Sequence, residues 1–193
     1  MAFLQRDHLH HRNAIEEIYV EAIASARDEV IVANAYFFPS RRLREAFAAA
    51  VRRGVRVRLL LQGRAEYWFN HYASRALYAD LLRAGVEIHE YTRSHLHAKV
   101  AVVDGEWMTV GSSNIEPFSL LLAKEANVVA NRARTATVLH DSLLAEMQTG
   151  ARPVLREQWE SLPLWERVQC RAALRLAHLA LTLSMRGAER RFI

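Results

Sequence analysis

Cysteine occurs once, at Cys170, which excludes an internal disulfide and any cysteine-rich metal site. A lone sulfur of this kind reads as a small buried or half-buried apolar residue, and its isolation fits a reducing compartment. Lysine is almost as scarce. Of 26 basic residues only Lys99 and Lys124 are lysines, so a chain that otherwise uses arginine keeps an ammonium at position 99. The segment 1–13 is polar and histidine-rich and lacks the apolar core of a secretory signal, so export by that route is not expected. Its His8, His10 and His11 have no cysteine or carboxylate pattern of a closed metal site, and a solvated lead-in to a helix is expected there. No apolar run reaches the length of a membrane-spanning helix, because Arg171, Arg175 and His178 interrupt the leucine-rich tail.

The 193 residues, 51% hydrophobic and 24% charged, suffice for one well-buried α/β domain with a remainder. A net charge of +5 and an isoelectric point near 9.8 favour anionic partners, nucleic acid or acidic lipid, without choosing between them.

Hydrophobic periodicity predicts a helix over 13–27, a short strand over 29–35, a helix over 41–53 stopped at Gly54, and a strand over 55–62. A further helix over about 72–83, ended by Gly85, precedes a strand over 86–91. The alternation argues for a mixed sheet, parallel at its centre, with crossover helices on both faces. A helix from 131 to roughly 147 completes a domain of residues 1–150, and 149–153 reads as a linker. Residues 151–193 are expected to form a helical tail, rich in arginine and leucine. For that tail an interfacial helix, with arginines reaching anionic headgroups, competes evenly with a helix packed on the domain or on a second chain.

One constellation stands apart: His97-Ala-Lys99, Asp104, then Gly111-Ser112-Ser113-Asn114. On a strand over 94–103, His95, His97, Lys99, Ala101 and Val103 share one face, while Leu96, Ala98, Val100 and Val102 form the other, assigned to the core. Imidazole attacks phosphorus or passes a proton near neutral pH, and lysine neutralises non-bridging oxygens, so the pair suits phosphodiester chemistry. His95 reads as a supporting group. Asp104 has the opposite parity from His97 and is expected at a turn with Gly105, as structural support. The apolar stretch Trp107 to Val110 would pair back through that turn. Ser112 and Asn114 would then hydrogen-bond phosphate oxygens. The aromatic cluster Tyr67, Trp68, Phe69, His71 and Tyr72 follows a strand, where open α/β sheets place ligand-contacting loops; Trp68 is a candidate substrate contact, packing against the next helix being equally weighted.

The string H-x-K-x4-D-x6-G-S-x-N resembles the signature of the phospholipase D superfamily. That resemblance implies a catalytic set of His97, Lys99, Asp104 and Glu125, with histidine as nucleophile or general acid, a carboxylate orienting its ring, and no metal or organic cofactor. Ile115-Glu116-Pro117-Phe118-Ser119-Leu120, then Glu125-Ala126-Asn127, is similar to the bacterial cardiolipin synthase pattern, as is Ala33-Asn34-Ala35-Tyr36-Phe37-Phe38-Pro39, which makes Tyr36 a candidate substrate contact. The resemblance covers about residues 6–147 and matches the second half of such a synthase. It implies a phospholipid substrate of the phosphatidylglycerol type and a cytoplasmic protein peripherally associated with the inner membrane. Those enzymes carry two signatures, yet no other His-x-Lys occurs here. Activity would therefore require a second copy in a homodimer, or a complementary half. The alternatives are a single-motif nuclease or phosphodiesterase acting as a homodimer, an inactive half-enzyme, or a protein that only binds anionic lipid.

Overall fold

Apolar strands alternating with amphipathic helices resolve into a layered α/β unit in the structure, a computed structural model that describes residues 1–6, 13–64, 68–117, 119 and 123–189. In chain order these are β1 (Ala2–Arg6), α1 (Ala14–Ser25), β2 (Glu29–Asn34), α2 (Arg41–Arg52), β3 (Arg56–Gln62), α3 (Trp68–Arg75), α4 (Tyr78–Arg83), β4 (Glu87–Tyr91), β5 (Lys99–Val103), β6 (Trp107–Gly111), β7 (Glu125–Ala130), α5 (Arg134–Gly150), β8 (Ala151–Pro153), α6 (Arg156–Glu160) and α7 (Leu164–Glu189). The strands form one sheet in the order β1-β7-β6-β5-β2-β3-β4-β8. Its centre, β2-β3-β4, is parallel, and every other pairing is antiparallel.

Period-two alternation divides the core. Val30 and Val32 of β2 face a large cluster with Ile15, Tyr19, Phe47, Tyr78 and Trp159, whereas Ile31 and Ala33 face a smaller one with Leu143 and Met147 of α5. Helices thus cover both faces of the sheet, with α5 on one side and α1, α2, α4, α6 and α7 contributing to the other. Each fully buried side chain of the size of Leu59 or Phe47 contributes roughly 1.5–3 kcal/mol of transfer free energy. Ser40 starts α2 by accepting the Leu43 N–H at 3.1 Å, and its hydroxyl also bonds Glu16, locking α1 to α2.

Several sequence expectations are corrected. Residues 149–153 are not a linker: α5 runs to Gly150, and Ala151–Pro153 pairs as an edge strand with β4. The amino terminus begins with a strand, β1, paired along β7, which the hydrophobic pattern did not announce; the solvated lead-in expected at His8, His10 and His11 lies outside the described residues. The helix expected over 72–83 begins earlier, at Trp68, and breaks at Ala76-Leu77, a step that lets the adjacent Leu77 and Tyr78 both enter the core. The strand expected from Ser94 starts only at Lys99. Its partner β2 ends at Asn34, opposite Lys99, and after the bond from Ala35 N to Ala98 O at 3.0 Å no ladder remains for 94–97. Both faces of β5 are core, since Ala101 and Val103 join the larger cluster and Val102 the smaller.

Candidate active site

The antiparallel pairings gather His97, Lys99, Ser112, Asn114 and Glu125 at one end of the sheet. Asn34 pairs with Lys99, Gly111 with Asn127, and Arg6 with Glu125, so the carboxyl ends of β2 and β6 meet the amino ends of β5 and β7. The carboxyl ends of the parallel strands β3 and β4 share that edge, the side on which open α/β sheets bind ligands.

His97, in the extended segment just before β5, is exposed. Lys99 lies on the face of the larger core and retains 8% of its exposure. The two meet: Lys99 Nζ is 3.2 Å from His97 Nε2 and 3.3 Å from the His97 carbonyl oxygen, to which it donates. Burial lowers the Lys99 amine below its ordinary pKa, and the charge of Glu125 opposes the shift. The result is an ammonium held against an accessible imidazole, poised to meet a negatively charged group.

Glu125 opens β7 and accepts the Ser112 hydroxyl; Ser112 Oγ in turn accepts the Ala126 N–H at 3.1 Å. Carboxylate, hydroxyl and strand start therefore form one unit beside Lys99. The buried Asn114 accepts the Tyr36 N–H through Oδ1 at 3.4 Å, and Phe38 N donates to Ile115 O at 2.6 Å, so the segment after β2 is laced to the segment after β6. Trp68 opens α3, and its side chain lies outside the described residues, as do Phe118 and Leu120 of the downstream motif. His95 is exposed, its Nδ1 3.2 Å from Gln62 Nε2 at the end of β3.

Asp104 is elsewhere. With φ of 52° it stands, with Gly105 at 65°, in the three-residue turn Asp104-Gly105-Glu106 that joins β5 to β6. Its carboxylate accepts three backbone N–H groups, from Arg27 at 3.0 Å and from Asp28 and Glu29 at 2.9 Å each. At about 3.4 Å per residue it lies roughly 17 Å along the strand from Lys99.

Two buried amides join the site without a sequence signal strong enough to mark them. Asn34, fully buried on β2 and directly opposite Lys99, accepts the Ile115 N–H at 3.1 Å; its Nδ2 has no hydrogen-bond partner among the described residues. Directly opposed residues on paired strands share a face, so this amide neighbours the lysine. Asn127 donates to Thr109 Oγ1 at 3.1 Å and occupies the space beside Gly111, where any Cβ would overlap Asn127 Oδ1 and the Ala126 carbonyl. The signals for Asn34 are a polar amide closing an otherwise apolar strand and its place in the family-like segment 33–39, neither of which singles it out as a site residue. Among the described residues no group of three or more His, Cys, Asp or Glu is arranged to hold a metal ion, and no helix is long and apolar enough to cross a membrane.

Comparison with known proteins supplies the family. Residues 19–146 match the family described as cardiolipin synthase, PLD-like domain. Cardiolipin synthase B of Escherichia coli (strain K12) is 46% identical over 138 residues, covering 72% of this chain and 33% of that protein. The chain thus spans about a third of the length of such curated relatives. Among solved structures, phosphatidylserine synthase of Haemophilus influenzae Rd KW20 superposes with a TM-score of 0.72 at 11% identity, over 95% of this chain and 46% of that one. The phospholipase D family member Nuc of Salmonella typhimurium does so with a TM-score of 0.64 at 20% identity, over 80% of this chain and 97% of that one. Signature, fold and sequence identity agree: the chain belongs to the cardiolipin synthase family of PLD-like domains.

Proposed function

We propose that this chain is the catalytic unit of a phosphatidyltransferase of the cardiolipin synthase type, acting when a second signature, from another copy or a complementary half, faces its own. The observation that carries this reading is the 3.2 Å approach of Lys99 Nζ to His97 Nε2 at the ligand end of the sheet. With His97 neutral and its proton on Nδ1, Lys99 donates to the Nε2 lone pair until a phosphodiester arrives. The ammonium then moves to a non-bridging oxygen and frees the nucleophile.

In the first displacement His97 Nε2 bonds to the phosphorus of a phosphatidyl donor and the bond to the departing alcohol oxygen breaks. That oxygen takes a proton from the histidine of the second signature. In the second, the hydroxyl of an acceptor such as phosphatidylglycerol gives its proton back to that histidine and attacks phosphorus, breaking the P–N bond. Lys99 and Asn114 from each half bind the equatorial oxygens. Glu125, tied to Ser112, supplies the negative charge that offsets the ammonium and orients the imidazole. Asp104 acts at a distance by holding the hairpin in place.

The reading predicts diphosphatidylglycerol and glycerol when the purified protein is incubated with phosphatidylglycerol, detected by mass spectrometry of the lipids. His97→Ala should abolish both product and any acid-labile phosphoenzyme; retained turnover removes His97 from the mechanism. Sedimentation should place activity in a dimer, so an active monomer would refute the shared site. The net charge of +5 supports a second reading, in which the phosphodiester belongs to nucleic acid. Metal-independent cleavage of single-stranded DNA without lipid product would establish it.

A further inference from the structure

The helix α7 has two apolar faces, and the domain uses one. Cys170 and Ala173 are buried and Leu174 packs against the larger core, so this stripe fixes the helix on the sheet's helical layer. At 3.6 residues per turn, Trp165, Val168, Ala172, Leu176 and Leu179 fall within an arc of about 80° on the side away from it. That second stripe runs about 21 Å along the helix. Trp165 is 59% exposed, Val168 54%, Leu176 53% and Leu179 57%. Such a contiguous exposed stripe is uncommon on a protein surface without a partner.

Charge identifies the partner. Arg167, Arg171 and Arg175, all exposed, occupy the arc between the docked stripe and the exposed one. The only acidic residue between 164 and 179, Glu166, is half-buried toward the docked side. Arg167 and Arg171 also border an open pocket over Trp159 and Cys170, whose acidic wall residue Glu160 is held by Arg156 at 2.8 Å. A second copy of α7 laid on this face would bring arginines against arginines, whereas phosphate headgroups would neutralise them while the leucines and Trp165 enter the acyl boundary.

We infer that the outer face of α7 is a docking surface for an anionic phospholipid bilayer, distinct from the site at the sheet edge. It lets the chain lie on a membrane without crossing it. Binding requires both halves of the face, since arginines attract the surface and the apolar stripe holds it.

The test is co-sedimentation of the full chain with vesicles of phosphatidylcholine alone or containing phosphatidylglycerol. The protein should pellet only with the anionic vesicles, and less as salt rises. Replacing Arg167, Arg171 and Arg175 together by Gln should weaken partitioning about a hundredfold, at roughly fivefold per arginine. Trp165→Ser with Leu176→Ser should also release the protein; these positions are exposed, so circular dichroism should report an unchanged fold. His97→Ala should pellet like the wild type, which separates docking from catalysis. Equal binding to both vesicle types, retention by either α7 variant, or loss of binding by His97→Ala would overturn the inference. So would a solution dimer that Trp165→Ser with Leu176→Ser dissolves while anionic vesicles are ignored.

Discussion

Replacing Asp104 by Ala tests whether the acidic residue of the signature supports the fold or the chemistry. The carboxylate accepts three backbone N–H groups at 2.9 to 3.0 Å, two of these bonds exposed and one partly buried. A hydrogen bond to a charged group nets about 1.5–3 kcal/mol when sheltered, so roughly 1 kcal/mol each is reasonable here, about 3 in all. An alanine left at φ of 52° adds about 1 kcal/mol of backbone strain. The expected loss is therefore about 4 kcal/mol, a large part of the stability of an ordinary domain. Asp104→Asn tolerates the left-handed turn and keeps the Oδ1 acceptor shared by Asp28 and Glu29, so it should lose only about 1–2 kcal/mol. Urea unfolding followed by far-UV circular dichroism should rank wild type above Asn and Asn above Ala. Turnover per folded molecule should remain at the wild-type level in both. A wild-type urea midpoint in the alanine variant would refute the clamp, and lost turnover in a fully folded variant would return Asp104 to the chemistry.

Lys99→Met should leave stability equal or improved, because burial already disfavours the ammonium, while turnover falls by about 10²–10³, the scale of one lost transition-state donor; unfolding and product assays read the two effects separately. Gly111→Ala should cost about 1–3 kcal/mol or prevent folding, since its Cβ overlaps Asn127 and the Ala126 carbonyl, and a shifted urea midpoint would report it. Burial, reinforced by the charge of Arg75, pushes His71 down to about 4, below the ordinary value near 6.5 that an unfolded chain shows. Between those values the unfolded state binds the extra proton, so this residue's contribution falls as pH drops from about 6.5 to 4. The gap in melting temperature between wild type and His71→Leu should change across that window, and a constant gap would refute the assignment.

The parts of the fold legible in the sequence are those with local causes. The helix α2 carries its own Ser40 cap and stops before Gly54, and the β5–β6 hairpin carries its Asp104-Gly105 turn. The short edge strands β1 and β8 are not legible in this way, because a strand of three to five residues has no identity without its partner. The break between α3 and α4 depends on Tyr78 meeting Trp159, 81 residues away in the chain, with ring centroids 5.2 Å apart.

The order and spacing of His97, Lys99, Ser112, Asn114 and Glu125 are properties of the sequence, and with them come the family and the chemistry proposed for it. The burial of Lys99, the nearness of its amine to the imidazole, the buried Asn34 opposite it and the three N–H groups around Asp104 are not written in any local stretch. They arise because the sheet brings β2, β5, β6 and β7 side by side, and both desolvation and hydrogen bonding depend on what stands next to a group in space. The same holds for α7: its periodicity announces an amphipathic helix, but only packing decides which apolar stripe the domain covers and which it leaves open.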